Sequence, residues 1–267
     1  MDKGDRMDKK VVVLGGGDLA SGVILRLHHC GFKVWVTELE LPLVVRRTVS
    51  FAEAVYEEQV SVEDVTAKLV KDAEEIANSW KAGVVPIIID PAGKSIEKIA
   101  PDVIIDARML KKDLVREIKP EPLIIGLGPG FVAGENCHAV IETQRGPFMG
   151  RVIWKGAAEI NSGIPEEVLG RGEERILRAP ISGEFHAAHQ IGDFVGEGEV
   201  LGDVNGFPVR APFTGMIRGL IRHKLDVIQG MKLGDVDPRK NRRLVNLVSD
   251  KALAVGGGVL EAVLSVR

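Results

Sequence analysis

Between residue 11 and about residue 155, short β-branched runs alternate with stretches whose apolar residues recur at helical spacing. VVVL (11–14) reads as a buried strand. Leu19, Val23, Ile24 and Leu27 mark one face of a helix from Asp18 to Cys30. VWVTE (34–38), VTAKLV (65–70), PIIID (86–90), VIIDA (103–107) and LIIG (123–126) read as strands. AVIET (139–143) and RVIW (151–154) follow as an antiparallel pair. Further helices are predicted over Leu43–Glu57 and over Asp72–Lys81, the latter stopped by Gly83. Strands that are apolar on both faces and separated by helices indicate a parallel sheet covered on both sides. The pattern therefore predicts a Rossmann-like nucleotide-binding domain over residues 1–158.

From about Arg178 the helical period disappears, and Gly and Pro punctuate short Val/Ile runs. RAPISG (178–183) returns as RAPFTG (210–215), and GEVLGDV (198–204) as GMKLGDV (230–236). Laid over each other without a gap, 178–204 and 210–236 share 10 identical residues of 27. Such a duplication predicts a compact all-β domain over 173–250, with quasi-two-fold symmetry. VGGGVLEAVLSV (255–266) predicts a C-terminal helix within 251–267, packing on either half. Residues 156–172 read as a linker, from which Asn161, Ser162 and Gly163 could reach back to a cleft.

The repeat resembles the barrel-sandwich hybrid fold of biotinyl and lipoyl carriers. Its signature stands here as Ala179, Pro180, Gly183, Gly192, Asp193, Val195, Gly198 and Leu201, followed by Ala211, Pro212 and Gly215. In those carriers a lysine sits on the hairpin between the halves. Here the hairpin is VNGFPV (204–209) and has no lysine. An amide-linked prosthetic group needs that amine, so neither biotin nor lipoate is expected. The expected architecture is thus α/β: a Rossmann-like parallel-sheet domain, then a small barrel-sandwich-hybrid-like domain.

Composition narrows the function. Lys and Arg total 35 against 38 Asp and Glu, a formal net charge of -3. Nucleic-acid binding through bulk charge is not expected from that balance. Gly is abundant at 31 and aromatics are few, so tight turns and an aliphatic core are expected. Only Cys30 and Cys137 are present, too few for a disulfide framework, and a reducing, cytoplasmic setting fits. No signal-like segment precedes VVVL, and no apolar run reaches membrane-spanning length.

Candidate chemistry centres on GGGDLASG (15–22). Gly15, Gly17 and Ala20 fit G-x-G-x-x-G/A, with a strand before and a helix after. Gly15 permits the tight turn, Gly17 lets backbone approach a pyrophosphate, and Ala20 lets helix pack on strand. Gly16, Asp18, Leu19 and Ser21 complete a loop whose amides, at a helix N-terminus, can face an anion. Glu38, ending the second strand, stands where a ribose-binding carboxylate belongs. Asp18 opposes a second anion, and the alternative is a plain turn with Asp18 as helix N-cap. Arg46 and Arg47 suit a 2′-phosphate or lie on a solvated helix start. Asp106 and Arg108 border the same cleft or pair with each other. Gly128 and Gly130 can present amides to an anion or form a turn. Arg145 suits an anion. Cys137 beside His138 is not expected to form a catalytic pair, because strand neighbours face opposite sides. No metal motif occurs.

Several segments resemble the YqeB family of the selenium-dependent molybdenum hydroxylase system. They are 11–57, IIIDP (87–91), DVIIDARMLKKD (102–113), IIGLGPGFVAGENCHAVIETQRG (124–146), RAPFTGMIRGLI (210–221) and KLGDVDPR (232–239). The resemblance implies an accessory or maturation role toward a molybdenum hydroxylase apo-enzyme. It also implies a nucleotide or molybdopterin-type ligand at the first glycine loop, and carries no catalytic residues over. The alternative is an NAD(P)-dependent oxidoreductase, for which the sequence offers no convincing proton donor.

Overall fold

The computed structural model describes residues 8–110, 119–160 and 167–266. They form two compact units, neither continuous in sequence. The first comprises Met1–Pro42, Ser50–Ser162 and Val248–Arg267, and the second Leu43–Val49 and Gly163–Leu247.

The first unit is built on a nine-stranded sheet. Its strands are β1 (Lys10–Leu14), β2 (Lys33–Glu38), β3 (Gln59–Val62), β4 (Val65–Val70), β5 (Val85–Ile89), β6 (Val103–Asp106), β7 (Leu123–Leu127), β9 (Ala139–Ile141) and β10 (Val152–Ile153). The remaining pair, β8 (Val132–Ala133) and β11 (Gly156–Ala157), forms a separate ladder. The order is β10-β9-β7-β6-β1-β2-β5-β4-β3. The inner ladders are parallel, and the outermost at each edge is antiparallel. At one edge the reason is local: β3 and β4 are joined by Glu63-Asp64 alone, with Glu63 at φ 53°, too short a link for a parallel crossover.

Helices of this unit are α1 (Asp18–His29), α2 (Ala54–Glu57), α3 (Ala73–Lys81), α4 (Lys94–Ile99) and α5 (Asp250–Ser265). The apolar runs of the central strands are consumed on both sheet faces. Val11, Val12 and Val13 are fully buried. Val12, Leu14 and Trp35 pack in one cluster with Ile76 of α3 and Ile96 and Ile99 of α4. Each such side chain contributes roughly 1.5–3 kcal/mol by leaving water. Asp72 caps α3, its Oδ1 accepting from the amides of Glu74 and Glu75 at 2.9 and 3.0 Å. Helices α1 and α5 approach to backbone contact at Gly22 and Gly256.

The second unit shows the duplication directly. β12 (Ile176–Arg178), β13 (Gly183–Ala187), β14 (Phe194–Val195) and β15 (Val200–Val204) come from the first copy. β16 (Phe207–Arg210), β17 (Gly215–Leu220), β18 (Leu225–Val227) and β19 (Lys232–Asp237) come from the second. They build two antiparallel sheets, ordered β12-β19-β17-β14 and β16-β15-β13-β18. Exchanging each strand for its repeat turns one order into the other, so neither copy completes a sheet alone. Phe185, Leu201, Ile217, Leu233 and Val236 fill the core.

The expected architecture is corrected by this topology. The large sheet is mixed, not parallel, and the chain is not a Rossmann-like domain followed by a barrel-sandwich-hybrid-like one. The C-terminal helix returns to the first unit, and seven residues between β2 and α2 join the second. The predicted helix over Leu43–Glu57 also fails. Residues 43–49 form a strap, and Phe51–Glu53 a 3-10 turn before the single helical turn of α2. Its apolar residues serve two cores rather than one helix face: Val49 belongs to the second unit, and Phe51, Ala52 and Ala54 to the first, all fully buried.

Candidate functional site

Three parallel strands end level. Leu14 is in register with Thr37 of β2 on one side and Asp106 of β6 on the other. The glycine loop, Glu38 and the Asp106–Arg108 turn therefore lie at one end of the sheet. The chain leaves β1 through α1 to β2 on one side, while β6 on the other side is entered from β5, a change of side of the kind that opens a crevice in parallel sheets.

Gly15 has φ +87°, which strains any side chain but glycine's, and its amide donates to Thr37 O at 2.9 Å. Space is not its constraint, since a Cβ would meet Arg108 at an ordinary 3.6 Å. Gly16 is constrained by space: a Cβ would lie 2.9 Å from the Ala52 nitrogen. The Gly16 amide donates to Glu38 Oε2 at 2.7 Å, and its carbonyl accepts from Ala52 N at 2.9 Å. Three small residues thus do not leave three bare amides; the one at Gly16 is occupied by the protein's own carboxylate. Gly17, not Asp18, is the N-cap of α1, and no side chain caps it. Asp18 lies in the first turn, where an acid favours the helix dipole. Leu19 is partly exposed there and Ala20 buried. The buried Ser21 hydroxyl donates to Gly17 O at 3.1 Å and accepts from Phe51 N at 3.2 Å, fixing the turn from behind.

Asp106 is almost wholly buried and holds Arg108 in a forked pair, Nε to Oδ1 at 2.9 Å and Nη2 to Oδ2. The hydrogen bond to Asp106 raises the guanidinium's already high pKa, so Arg108 stays charged. The mutual pair is realised, and it fixes a half-exposed cation beside the loop.

The remaining candidates are held by other partners within their own units. Arg46 and Arg47 lie in the strap of the second unit. Arg46 Nη2 donates to the carbonyls of Leu244 and Leu247 at 3.2 and 2.9 Å, and Arg47 Nε to Leu220 O at 2.8 Å. Arg145 forks onto Asp250, at the start of α5, at 2.8 and 2.9 Å. Gly128 and Gly130 follow β7 with φ of 72° and 100°. Their loop is closed internally: Gly128 N donates to Ile141 O, and the Asn136 side chain accepts from Val132 N at 2.8 Å. Cys137 is buried in an apolar cluster with Phe131 and Val140, while His138 Nδ1 accepts from Ile124 N. Asn161, Ser162 and Gly163 lie outside the described residues. Among the described residues no group of three or more His, Cys, Asp or Glu is placed to hold a metal ion, and no helix is long and apolar enough to cross a membrane.

Sequence reasoning missed Ser21 as a brace and the return of Phe51 and Ala52 to the loop. No spacing rule links residue 16 to residue 52. The cue for Ser21 was only its place one turn into an amphipathic helix.

No protein-family model matches the chain. Among solved structures it is similar to an aspartoacylase family protein from Mesorhizobium loti (12% identity, 87% of this chain, 86% of that one, TM-score 0.27). It is also similar to the ectoine utilization protein EutE (DoeB) from Ruegeria pomeroyi (12% identity, 86% of each chain, TM-score 0.26). The chain is 44% identical over 254 residues, 95% of its length, to the uncharacterized protein YqeB of Escherichia coli (strain K12), and spans about half (47%) of that relative. The similarity runs along nearly the whole of this chain and about half of that relative.

Proposed function

We infer that the protein is an accessory factor binding a phosphorylated, nucleotide-like ligand at the end of β1, in the service of a molybdenum hydroxylase apo-enzyme. One observation carries the binding half of this reading: the level ends of β1, β2 and β6, which gather the glycine loop, Glu38 and Arg108. A phosphate would sit against the first-turn amides of α1, where dipole and open N-cap favour an anion. Arg108 would flank it as a fixed cation, and Glu38 would accept from ligand hydroxyls once it leaves Gly16. These residues suit a ligand of NAD(P) type or a molybdopterin nucleotide, which would bring its own redox or metal-carrying chemistry. The hydroxylase partner, and a cytoplasmic location with it, rest on the family resemblance.

A second reading, an NAD(P)-dependent oxidoreductase, draws on Glu38 at the end of β2, the position that favours an unphosphorylated ribose. Thermal-shift titration with NAD, NADP, FAD, ATP and a cytidine-containing pterin separates the two. A shift with the pterin nucleotide, plus capture of a molybdenum hydroxylase, supports the accessory role. A shift with NAD or NADP plus turnover supports the enzyme. No shift with any of them removes the binding site from both.

A further inference from the structure

The loops that leave β1, β6 and β7 stand side by side, because Leu14 is in register with Asp106, and Asp106 with Gly126. The middle loop carries the Asp106–Arg108 pair. The outer two are the first glycine loop, at Gly15, and a second one, Gly128-Pro129-Gly130. Adjacent strands lie about 4.8 Å apart, so the outer loops stand roughly 10 Å from each other. The second loop is fastened at several points. Phe131 turns its ring back over Gly126, where a Cβ would lie 2.1 Å from it. Gly128 N donates to Ile141 O at 2.9 Å. The Asn136 side chain accepts from Val132 N at 2.8 Å and donates to Gly130 O at 3.3 Å. Among the described residues, these bonds leave the amides of Gly130 and Phe131 without a partner. Thr143, just past β9, is only 4% exposed and is seated over Gly128, where a Cβ would lie 2.4 Å from its hydroxyl oxygen. That hydroxyl also has no hydrogen-bond partner among the described residues.

We propose that this loop is a second anion subsite, in which Gly130 N, Phe131 N and Thr143 Oγ1 donate to a phosphate or carboxylate. A nearly buried hydroxyl left unpaired is costly, and two amides with a hydroxyl form a donor set that complements an oxyanion. The neighbouring carboxylate, Glu142, is buried and already accepts from the amides of Gln144 and Glu159 at 2.6 and 2.7 Å, so its charge is met by donors of its own. Arg145 is committed to Asp250 and supplies no cation here. The proposal deepens the anion-site reading of the first glycine loop and rests on it for the ligand's other end. The molecule would then carry two anionic groups roughly 10 Å apart, one at each outer loop, rather than a single pyrophosphate.

The test follows backbone amide resonances of the full chain while inorganic phosphate, and in a parallel series acetate, is titrated at constant ionic strength. Gly130 and Phe131 should shift saturably, and the anion that binds more tightly names the oxyanion. Thr143→Val, which keeps the shape and loses the donor, should weaken that binding about tenfold, and Thr143→Ser should restore it. Val12 and Ile105, in the sheet core, should keep their wild-type resonances in both variants. No shift at Gly130 or Phe131 with either anion overturns the subsite, as does Thr143→Val binding as tightly as wild type. Gly17 and Leu19 report the first loop separately. Shifts there alone overturn the subsite and leave the first-loop reading standing. Shifts at Gly130 and Phe131 alone leave the subsite standing and remove the first-loop reading, and the two-ended ligand with it. Shifts at neither loop remove both. A last arm uses an alkanediol bisphosphate long enough to reach both loops. It should bind wild type more tightly than phosphate by about tenfold or more, and lose that gain in Thr143→Val. Equal affinity for the two probes overturns the two-ended ligand.

Discussion

Gly16 and Glu38, 22 residues apart, are joined by a 2.7 Å hydrogen bond from backbone amide to carboxylate. The bond lets an acid at the end of β2 stand in for an anion at the loop after β1. At the proposed anion site Glu38 would be the gate, since a ligand phosphate that takes this amide has to move a carboxylate first. A charge-assisted hydrogen bond is worth about 1.5–3 kcal/mol, a cost that a phosphorylated ligand can exceed.

The glycines of α1 and α5 give opposite predictions for one substitution. A Cβ on Gly22 would lie 2.2 Å from the Ala252 carbonyl oxygen, and one on Gly256 would lie 2.4 Å from that of Gly22. Both contacts are with backbone, which cannot rotate away. Gly22→Ala and Gly256→Ala should each destabilise the protein by about 2–3 kcal/mol in urea unfolding. Nothing lies within 4 Å of a Cβ on Gly257, so Gly257→Ala should stabilise it by roughly 0.5–1 kcal/mol. Equal effects at the three positions would contradict the close helix pair.

Acid should weaken the second unit through Asp237. Burial alone would raise this fully buried carboxyl's pKa, but the hydrogen bonds and charge of Arg239 outweigh it and hold the pKa below its ordinary value. A carboxyl depressed on folding stabilises above its unfolded pKa, near 4, and loses that contribution as the pH falls through the lower folded value. Arg239→Gln should cost about 2–3 kcal/mol at pH 7, because a buried charge loses its forked partner. Below about pH 4 the gap between wild type and variant should narrow as the carboxyl takes up a proton. A gap that is the same at pH 7 and pH 3 would contradict this account.

Arg145 tests whether a candidate anion ligand is instead a clamp. Its partner Asp250 is largely exposed, so the pair is worth no more than about 1 kcal/mol. Asp250→Asn and Arg145→Gln should produce similarly small losses in urea midpoint, and neither should change pyrophosphate affinity. A large loss of affinity in Arg145→Gln would return this residue to the binding site.

Arg46 should behave as a structural residue of the second unit. It is buried and donates to two carbonyls, so Arg46→Gln should destabilise by about 2 kcal/mol and broaden the Leu244 and Leu247 resonances. A variant of wild-type stability that fails to bind a 2′-phosphate would reverse the assignment.

What could be read from the sequence follows the range of the forces involved. VVVL announced a doubly covered strand because both sheet faces consume its apolar residues. The 32-residue offset of the two RAP motifs announced a duplicated all-β unit with quasi-two-fold symmetry, but not that each repeat supplies its strands to both of two sheets. Glu38 could be placed at the second strand's end by counting from Gly17. Its partner could not, because an amide at Gly16 and a carboxylate at Glu38 meet only once β1 and β2 are in register. The strap was misread for a related reason. Val45, Val49 and Ala52 fit a helical period, yet Val49 and Ala52 are buried in different units, and the Val45 carbonyl accepts from the Leu220 amide while Arg47 and Thr48 donate to the carbonyls of Leu220 and Val245. The antiparallel edge of β9 and β10 was legible in AVIET and RVIW, but the other edge was hidden because the two-residue turn at Glu63-Asp64 follows a polar strand, QVSV, with little apolar signal.

The central claim is that a phosphorylated, nucleotide-like molecule binds where β1, β2 and β6 end. It is tested most directly by following backbone amide resonances while NADH or a cytidine-containing pterin nucleotide is titrated in. The account predicts saturable shifts at Gly16, Gly17 and Leu19, with the Gly16 amide moving as Glu38 leaves it. Shifts absent from these residues at millimolar ligand, or confined to the second unit, would contradict it.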